Sequence, residues 1–156
     1  MNLFVLGWNL PAETQGAALA ALRGMPKVYP QLDPDTLWQC SSSTQTVFAA
    51  AMHPGKAVIA SREYIAQQNG CAVLYDGLPV ESSAAFPAFH AQDLLAHWNE
   101  DLGGRLDGQF GLVRISCDPP QLEIITDFMG SQPLFYQRLG KGWLISNSVY
   151  LIEQVA

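Results

Sequence analysis

Cysteine is scarce in this 156-residue chain. Its three copies, Cys40, Cys71 and Cys117, stand far apart with no Cys-x-x-Cys pair. That spacing argues against a disulfide framework and against a zinc site, and makes a reducing compartment, the cytoplasm, the expectation. Charge is scarce as well, at 14% of residues, and the 8 bases are outnumbered by 14 acids and scattered from Arg23 to Lys141. A nucleic acid or an anionic membrane surface is met by a basic face, so neither partner is expected. No apolar run approaches the ~20 residues of a membrane span. Met1 to Trp8 is apolar but lacks the basic flank and cleavage site of a signal peptide, and reads as a strand. Internal repeats and low-complexity segments are missing too. Gly103-Gly104 is not followed by Gly-Lys-Ser/Thr, so it reads as a helix stop and not a phosphate loop.

What is present is apolar residue, 49% of the chain. A domain of this length buries roughly 70% of its unfolded surface, and one domain over residues 1–156 is the expectation. The run from 2 to 8 predicts a strand, stopped by Asn9 to Pro11. The Ala/Leu-rich stretch before Gly24 predicts a helix over 14–23, with Thr14 as its cap. Strands are expected at 37–41 and 46–52, then a turn at His53-Pro54-Gly55 and a return strand over 56–61. Residues 62–68 read as a helical turn closed by Asn69-Gly70, 71–75 as a buried strand, and 78–89 as a loop. Ala91, Leu94, Leu95 and Trp98 fall on one stripe of a helix, which Gly103-Gly104 should close. Strands follow at 110–116, 122–126, 134–137 and 143–146, and a last helix at 148–154. The helices and strands segregate instead of alternating, which makes the fold class α+β, with helices covering antiparallel sheets.

The stretch Leu106-Asp107-Gly108-Gln109-Phe110 opens one strand, and Asp127-Phe128-Met129-Gly130-Ser131-Gln132-Pro133-Leu134-Phe135-Tyr136 leads into another. Gly130 permits a positive φ in a tight loop, and Pro133 presets the backbone entering the next strand. Leu134 and Tyr136 share one face of that strand and Phe135 takes the other. Together these residues resemble the class II glutamine amidotransferase domain of the asparagine synthetase family. There a Leu-Asn-Gly-x-Phe strand is followed by Asp-x-x-Gly-x-x-Pro-Leu-Tyr-Tyr. Asp107, Gly108, Asp127, Gly130, Pro133 and Tyr136 carry the structural motif. Tyr75-Asp76-Gly77 looks like the family's Asn-Gly loop, and Trp143 to Asn147 like its Phe-Ala-Ser-Glu strand. The likeness covers residues 70–156 and the first strand, while 9–69 match poorly. It implies a four-layer αββα sandwich of two antiparallel sheets, the N-terminal-nucleophile fold. The implied chemistry is glutamine hydrolysis by a Cys whose own α-amine is the base, with an Asn side chain and a backbone N–H on the oxyanion.

The chemical stations depart from that pattern. Where the resemblance puts the nucleophilic Cys stands Asn2, whose neutral carboxamide cannot replace a thiolate. Met1 is expected to stay on, because methionine removal favours small second residues, and the amine base is then missing too. The oxyanion Asn is replaced by Asp76, and an ionised carboxylate donates no hydrogen bond. The family's Ser-Asp-Thr-Glu stretch aligns with Phe89-His90-Ala91-Gln92, so Gln92 stands where an acid is expected. Arg62 is a weak candidate for holding a substrate carboxylate. No catalytic residue is therefore assigned, and Asn2, Asp76, Gly77 and Gln92 are candidates for a degenerate pocket. Similar domains without the Cys occur in β-lactam synthetases and lasso-peptide cyclases, fused to an ATP-binding ligase domain. The resemblance thus implies an inactive domain supporting an asparagine synthetase-like, amide-forming ligase, as its N-terminal piece or a separate subunit. ATP and Mg are implied only for that partner, and no cofactor or metal for this chain. The partner's Ser-Gly-Gly-x-Asp-Ser loop is not in the sequence. Apolar surface on a sandwich would also allow a homo-oligomer.

Two rival readings stay open. One is an active amidohydrolase with another nucleophile, for which Cys40-Ser41-Ser42-Ser43-Thr44 would serve if an upstream segment were cut away. The other is a stand-alone domain binding a small ligand or peptide. Asp93 and His97, at i and i+4, read as a solvated helix face with a local ion pair before they read as metal ligands. Asp127 reads as a structural carboxylate fixing its loop through backbone N–H groups. The four tryptophans read as core or interface anchors.

Overall fold

The computed structural model describes residues 2–55, 64–81, 90–98 and 101–156. Strand β1 (Leu3–Trp8) is followed by helix α1 (Ala12–Gly24) and then by β2 (Trp38–Ser41) and β3 (Val47–Met52). The chain continues through β4 (Ile65–Gln68), β5 (Cys71–Glu81), α2 (Ala91–Ala96), α3 (Leu102–Arg105) and β6 (Leu106–Cys117). It finishes with β7 (Pro120–Thr126), β8 (Phe135–Leu139), β9 (Gly142–Ser146) and α4 (Val149–Val155). Among the described residues these strands form a five-stranded sheet, β2-β3-β1-β9-β8, and a four-stranded sheet, β4-β5-β6-β7, with every neighbour antiparallel.

Alternation along the strands builds the layers. Leu3 and Val5 of β1 face α1 and α4, where Ala18, Leu22, Leu151 and Ile152 cover them. Phe4 and Leu6 face the other way and meet Leu74, Val113 and Ile115 of the second sheet. Val73, Tyr75, Phe110 and Leu112 on that sheet's far side pack under Ala91 and Leu94 of α2 and Leu102 of α3. Burying each such large side chain stabilises the fold by about 1.5–3 kcal/mol. The result is helices, sheet, sheet, helices: the αββα sandwich expected for the α+β class.

Several elements differ from the sequence reading. Helix α1 begins at Ala12 with Pro11 before it, so Thr14 is an interior residue; Pro fits a helix entry because no donor is needed there. Residues 65–68 form a strand and not a helical turn. Asn69 and Gly70 take φ of 52° and 75°, which suits a tight turn between two antiparallel strands, and Gln68 pairs with Cys71 across it. Strand β5 runs on to Glu81 where a loop was expected after Gly77, pairing with β6 down to Glu81 opposite Leu106. Gly103-Gly104 lies inside α3 and does not close a helix. The return strand expected over 56–61, Arg62, and positions 82–89 of the expected loop lie outside the described residues.

Glycine 77 shows why β5 carries on past Asp76. Its φ is 89°, and a Cβ there would sit on the carbonyl oxygen of Gln109 in β6. Gly108, with φ of 100°, makes the reciprocal close approach to the carbonyl of Leu78. Side chains are excluded at both places, so the two strands cross closely without losing their pairing.

Candidate functional site

Asn2 lies just ahead of β1, the central strand of the five-stranded sheet. Asp76 lies on β5, an inner strand of the other sheet. Both point into the space between the sheets, since Asn2 is in phase with Phe4, and Asp76 with Leu74. The backbone N–H of Asn2 donates to Asp76 Oδ1 at 2.9 Å. The Asn2 carboxamide Nδ2 donates to the carbonyl of Tyr75 at 2.7 Å. Sequence reading missed a third member, Asn147, which directly follows β9. Its Nδ2 donates to the Asn2 carbonyl at 2.5 Å and to Asp76 Oδ2 at 3.2 Å. Its Oδ1 accepts from the Phe4 N–H at 3.0 Å. A signal was present in Ser146-Asn147-Ser148, three small polar residues directly after an apolar strand. Ser146 Oγ donates to the Phe4 carbonyl at 2.6 Å and accepts from the Ser148 N–H at 3.1 Å.

Of the three residues at this junction, two are buried and Asn147 is half-buried. Asn2 is 4% exposed and Asp76 6%. Both oxygens of Asp76 already accept hydrogen bonds, so the residue offers nothing to a developing negative charge. The Asn2 backbone nitrogen is a donor held by a carboxylate, and its side-chain nitrogen is held by a carbonyl. Its Oδ1 is buried without a partner among the described residues, an arrangement that costs about 1–3 kcal/mol.

The remaining candidates lie elsewhere. Gly77 adjoins Asp76 and acts through its backbone, as described. Gln92 is exposed on α2, which packs on the outer side of the four-stranded sheet; it stands apart from Asn2, Asp76 and Asn147. On the same helix the Asp93 carboxylate accepts from the His90 N–H at 3.1 Å, and His97 Nδ1 meets the Asp93 backbone carbonyl at 2.9 Å. They serve the two ends of a short helix, and no group of three His, Cys, Asp or Glu residues could hold a metal among the described residues.

The motif residues form a second, separate constellation. Asp127 accepts from the N–H groups of Phe110, Met129 and Ser131 and from the Ser131 hydroxyl, all at 3.0–3.2 Å. The Ser131 N–H foremost, with those of Phe110 and Met129, holds its carboxyl below the usual aspartate range. Gly130, at φ 62°, turns the loop and donates to the Asp127 carbonyl at 3.0 Å. Asp107 Oδ1 accepts from the N–H of Gly108 at 2.7 Å. Pro133 is exposed two residues before β8. Tyr136 is exposed and meets Trp143 edge-on, with ring centroids 5.9 Å apart. A cleft of about 220 Å3 lies beside Asp107, Gly108, Phe110 and Asp127, rimmed by the exposed Phe128 and Met129. It does not include Asn2 or Asp76.

Burial pushes the Cys40 thiol up to about 12, with Cys117 beside it adding to the rise. A thiol so protonated is a poor nucleophile, which counts against the Cys40 alternative. No described helix is long and apolar enough to cross a membrane.

No protein-family profile matches the chain. No curated protein sequence matches it. Among solved structures it is similar to glutamine phosphoribosylpyrophosphate amidotransferase from B. subtilis, solved with ADP and GMP, at 10% identity and a TM-score of 0.56. The match takes in 99% of this chain and 43% of that one, so this chain spans less than half of its neighbour's length. The likeness concerns the fold: two stacked antiparallel sheets with covering helices.

Proposed function

We propose that this chain is an amidotransferase-like domain that does not hydrolyse glutamine, and that it supports an amide-forming ligase of the asparagine synthetase-like kind. One observation carries the first half. The residue at the head of the central strand is a buried asparagine tied by its backbone N–H to a buried carboxylate. Acyl transfer needs an electron pair free to attack, a base to take the proton and donors for the oxyanion. Asn2 offers a conjugated amide, its backbone nitrogen is occupied as a donor, and Asp76 accepts where the chemistry wants donation. The second half rests on the motif resemblance alone. ATP and Mg2+ belong to the partner in this reading, and the cytoplasm is the expected compartment.

The test is ammonia and glutamate release from glutamine by the purified chain. None is expected, and thiol-independent release at any rate above the uncatalysed background defeats the proposal. Asn2→Cys is expected to stay silent as well, because Asp76 still withholds a donor from the oxyanion. Partnership is tested separately, by co-purification with an ATP-dependent amide ligase carrying the pyrophosphate loop; a chain that remains alone in the presence of such a ligase refutes it.

A further inference from the structure

The three cysteines are distant in sequence, and the fold sorts them. Cys40 sits on β2, paired with Ala49, whose side chain faces the second sheet. Residues directly opposite in an antiparallel pair share a face, so Cys40 faces the second sheet as well, and it packs with that inner cluster. Cys117 ends β6 in phase with Val113 and Ile115, both on the inner face of the four-stranded sheet. Both thiols therefore face the gap between the sheets. Trp38 Nε1, two residues before Cys40, donates to Gln67 Oε1 of the second sheet at 3.1 Å, and Cys117 is the neighbour that adds to the rise of the Cys40 thiol. Cys71 is near in register, since it pairs with Ser116. It is in phase with Val73 and Tyr75, which face the outer helices, so it points away from Cys117. All three cysteines are free and half-buried.

We propose that Cys40 and Cys117 form a reversible disulfide, a covalent modification site that clamps the edge strand of one sheet to an inner strand of the other. The oxidant is a small-molecule disulfide such as oxidised glutathione. The Cys117 thiolate attacks one sulfur of that reagent, a mixed disulfide forms, and the first glutathione leaves as a thiol. Cys40 then gives up its proton and attacks the Cys117 sulfur, the Cys40–Cys117 bond forms, and the second glutathione leaves as a thiol. Two protein thiols are oxidised and one disulfide reagent is reduced, so atoms and electrons balance. Cys40 is the second to act because burial and Cys117 keep it protonated; its attack is intramolecular, so proximity offsets its low thiolate fraction. The link would close a loop of nearly half the chain, which makes it a strong restraint on the unfolded state.

The test is oxidation of the full chain with oxidised glutathione, followed by acid quenching, non-reducing peptide mapping and thermal melting. The expected product is lighter by two hydrogens, joins the Cys40 peptide to the Cys117 peptide, and melts about 10 °C higher than the reduced chain. Cys71→Ser is expected to give the same cross-link, while Cys40→Ser abolishes it and leaves glutathione on Cys117, and Cys117→Ser abolishes it and leaves Cys40 unmodified. Glutathione adducts on both Cys40 and Cys117 of the unaltered chain with no bond between them would overturn the proposal. So would a cross-link from Cys71 to Cys117.

Discussion

Two carboxylates in this molecule are equally hidden, Asp76 and Asp127 at 6% exposure each, yet they hold different things. Asp127 gathers donors from its own loop, from Met129 and Ser131, and one from Phe110 on β6, 17 residues earlier. Its partners are fixed once a short stretch of chain closes. Asp76 gathers donors from Asn2 and Asn147, 74 and 71 residues away. It joins the two sheets where β1 and β9 lie side by side. The first carboxylate shapes a turn, and the second fastens the sandwich. The fastening sits at the head of the central strand, where the motif resemblance puts the chemistry.

Gly77→Val should have the largest effect, because it attacks the fastening through the backbone. The new side chain meets the Gln109 carbonyl at a φ of 89°, and a loss of at least about 3 kcal/mol is expected. Urea denaturation would measure it, and a wild-type midpoint would mean that the close crossing of β5 and β6 is not needed. Next comes Asp76→Ala. It strands the Asn2 N–H and one contact of Asn147 in a buried place, and about 3 kcal/mol should be lost. A loss no greater than that of Asp127→Ala would erase the contrast between the two carboxylates.

Protonation separates them in a different way. Asp127 has a folded-state pKa below the ordinary aspartate value of about 3.9. Its contribution is therefore present above that value and disappears as pH falls through the lower, folded one. The melting temperature of Asp127→Asn should lie below that of the wild type at neutral pH, and the gap should narrow as pH drops below about 3.9. A gap independent of pH would deny the carboxylate its special environment. Ser131→Ala is the mildest change. It removes one hydroxyl donor at 3.2 Å and leaves the backbone donors in place, for a cost of about 0.5 kcal/mol.

The Asp127 loop was legible in the sequence because its logic is local: an acid, a glycine that turns the chain and a proline that enters a strand, within seven residues. Strands β1 and β3 are legible as apolar runs, but they are buried on both faces and carry no alternation that names the inner side. The junction was only half legible. Asn2 and Asp76 stood out through resemblance, but Asn147 bonds to residues that sequence order places at the far end of the chain, and no periodicity encodes that. Strand β4 is hard to see in the sequence because Ile65 to Gln68 is too short to show alternation, and because Asn69-Gly70 ends a helix as readily as it turns a hairpin. Gln92 was grouped with Asn2 by alignment, although a whole sheet lies between its helix and the junction.

The placement of Asn147 bears on how the molecule comes into being. Residue 2 is made long before residue 147, whose carboxamide satisfies the Asn2 carbonyl and the second Asp76 oxygen. Until then the central strand lacks β9 as its neighbour. The two-sheet body therefore closes only after the segment through Asn147 has been made.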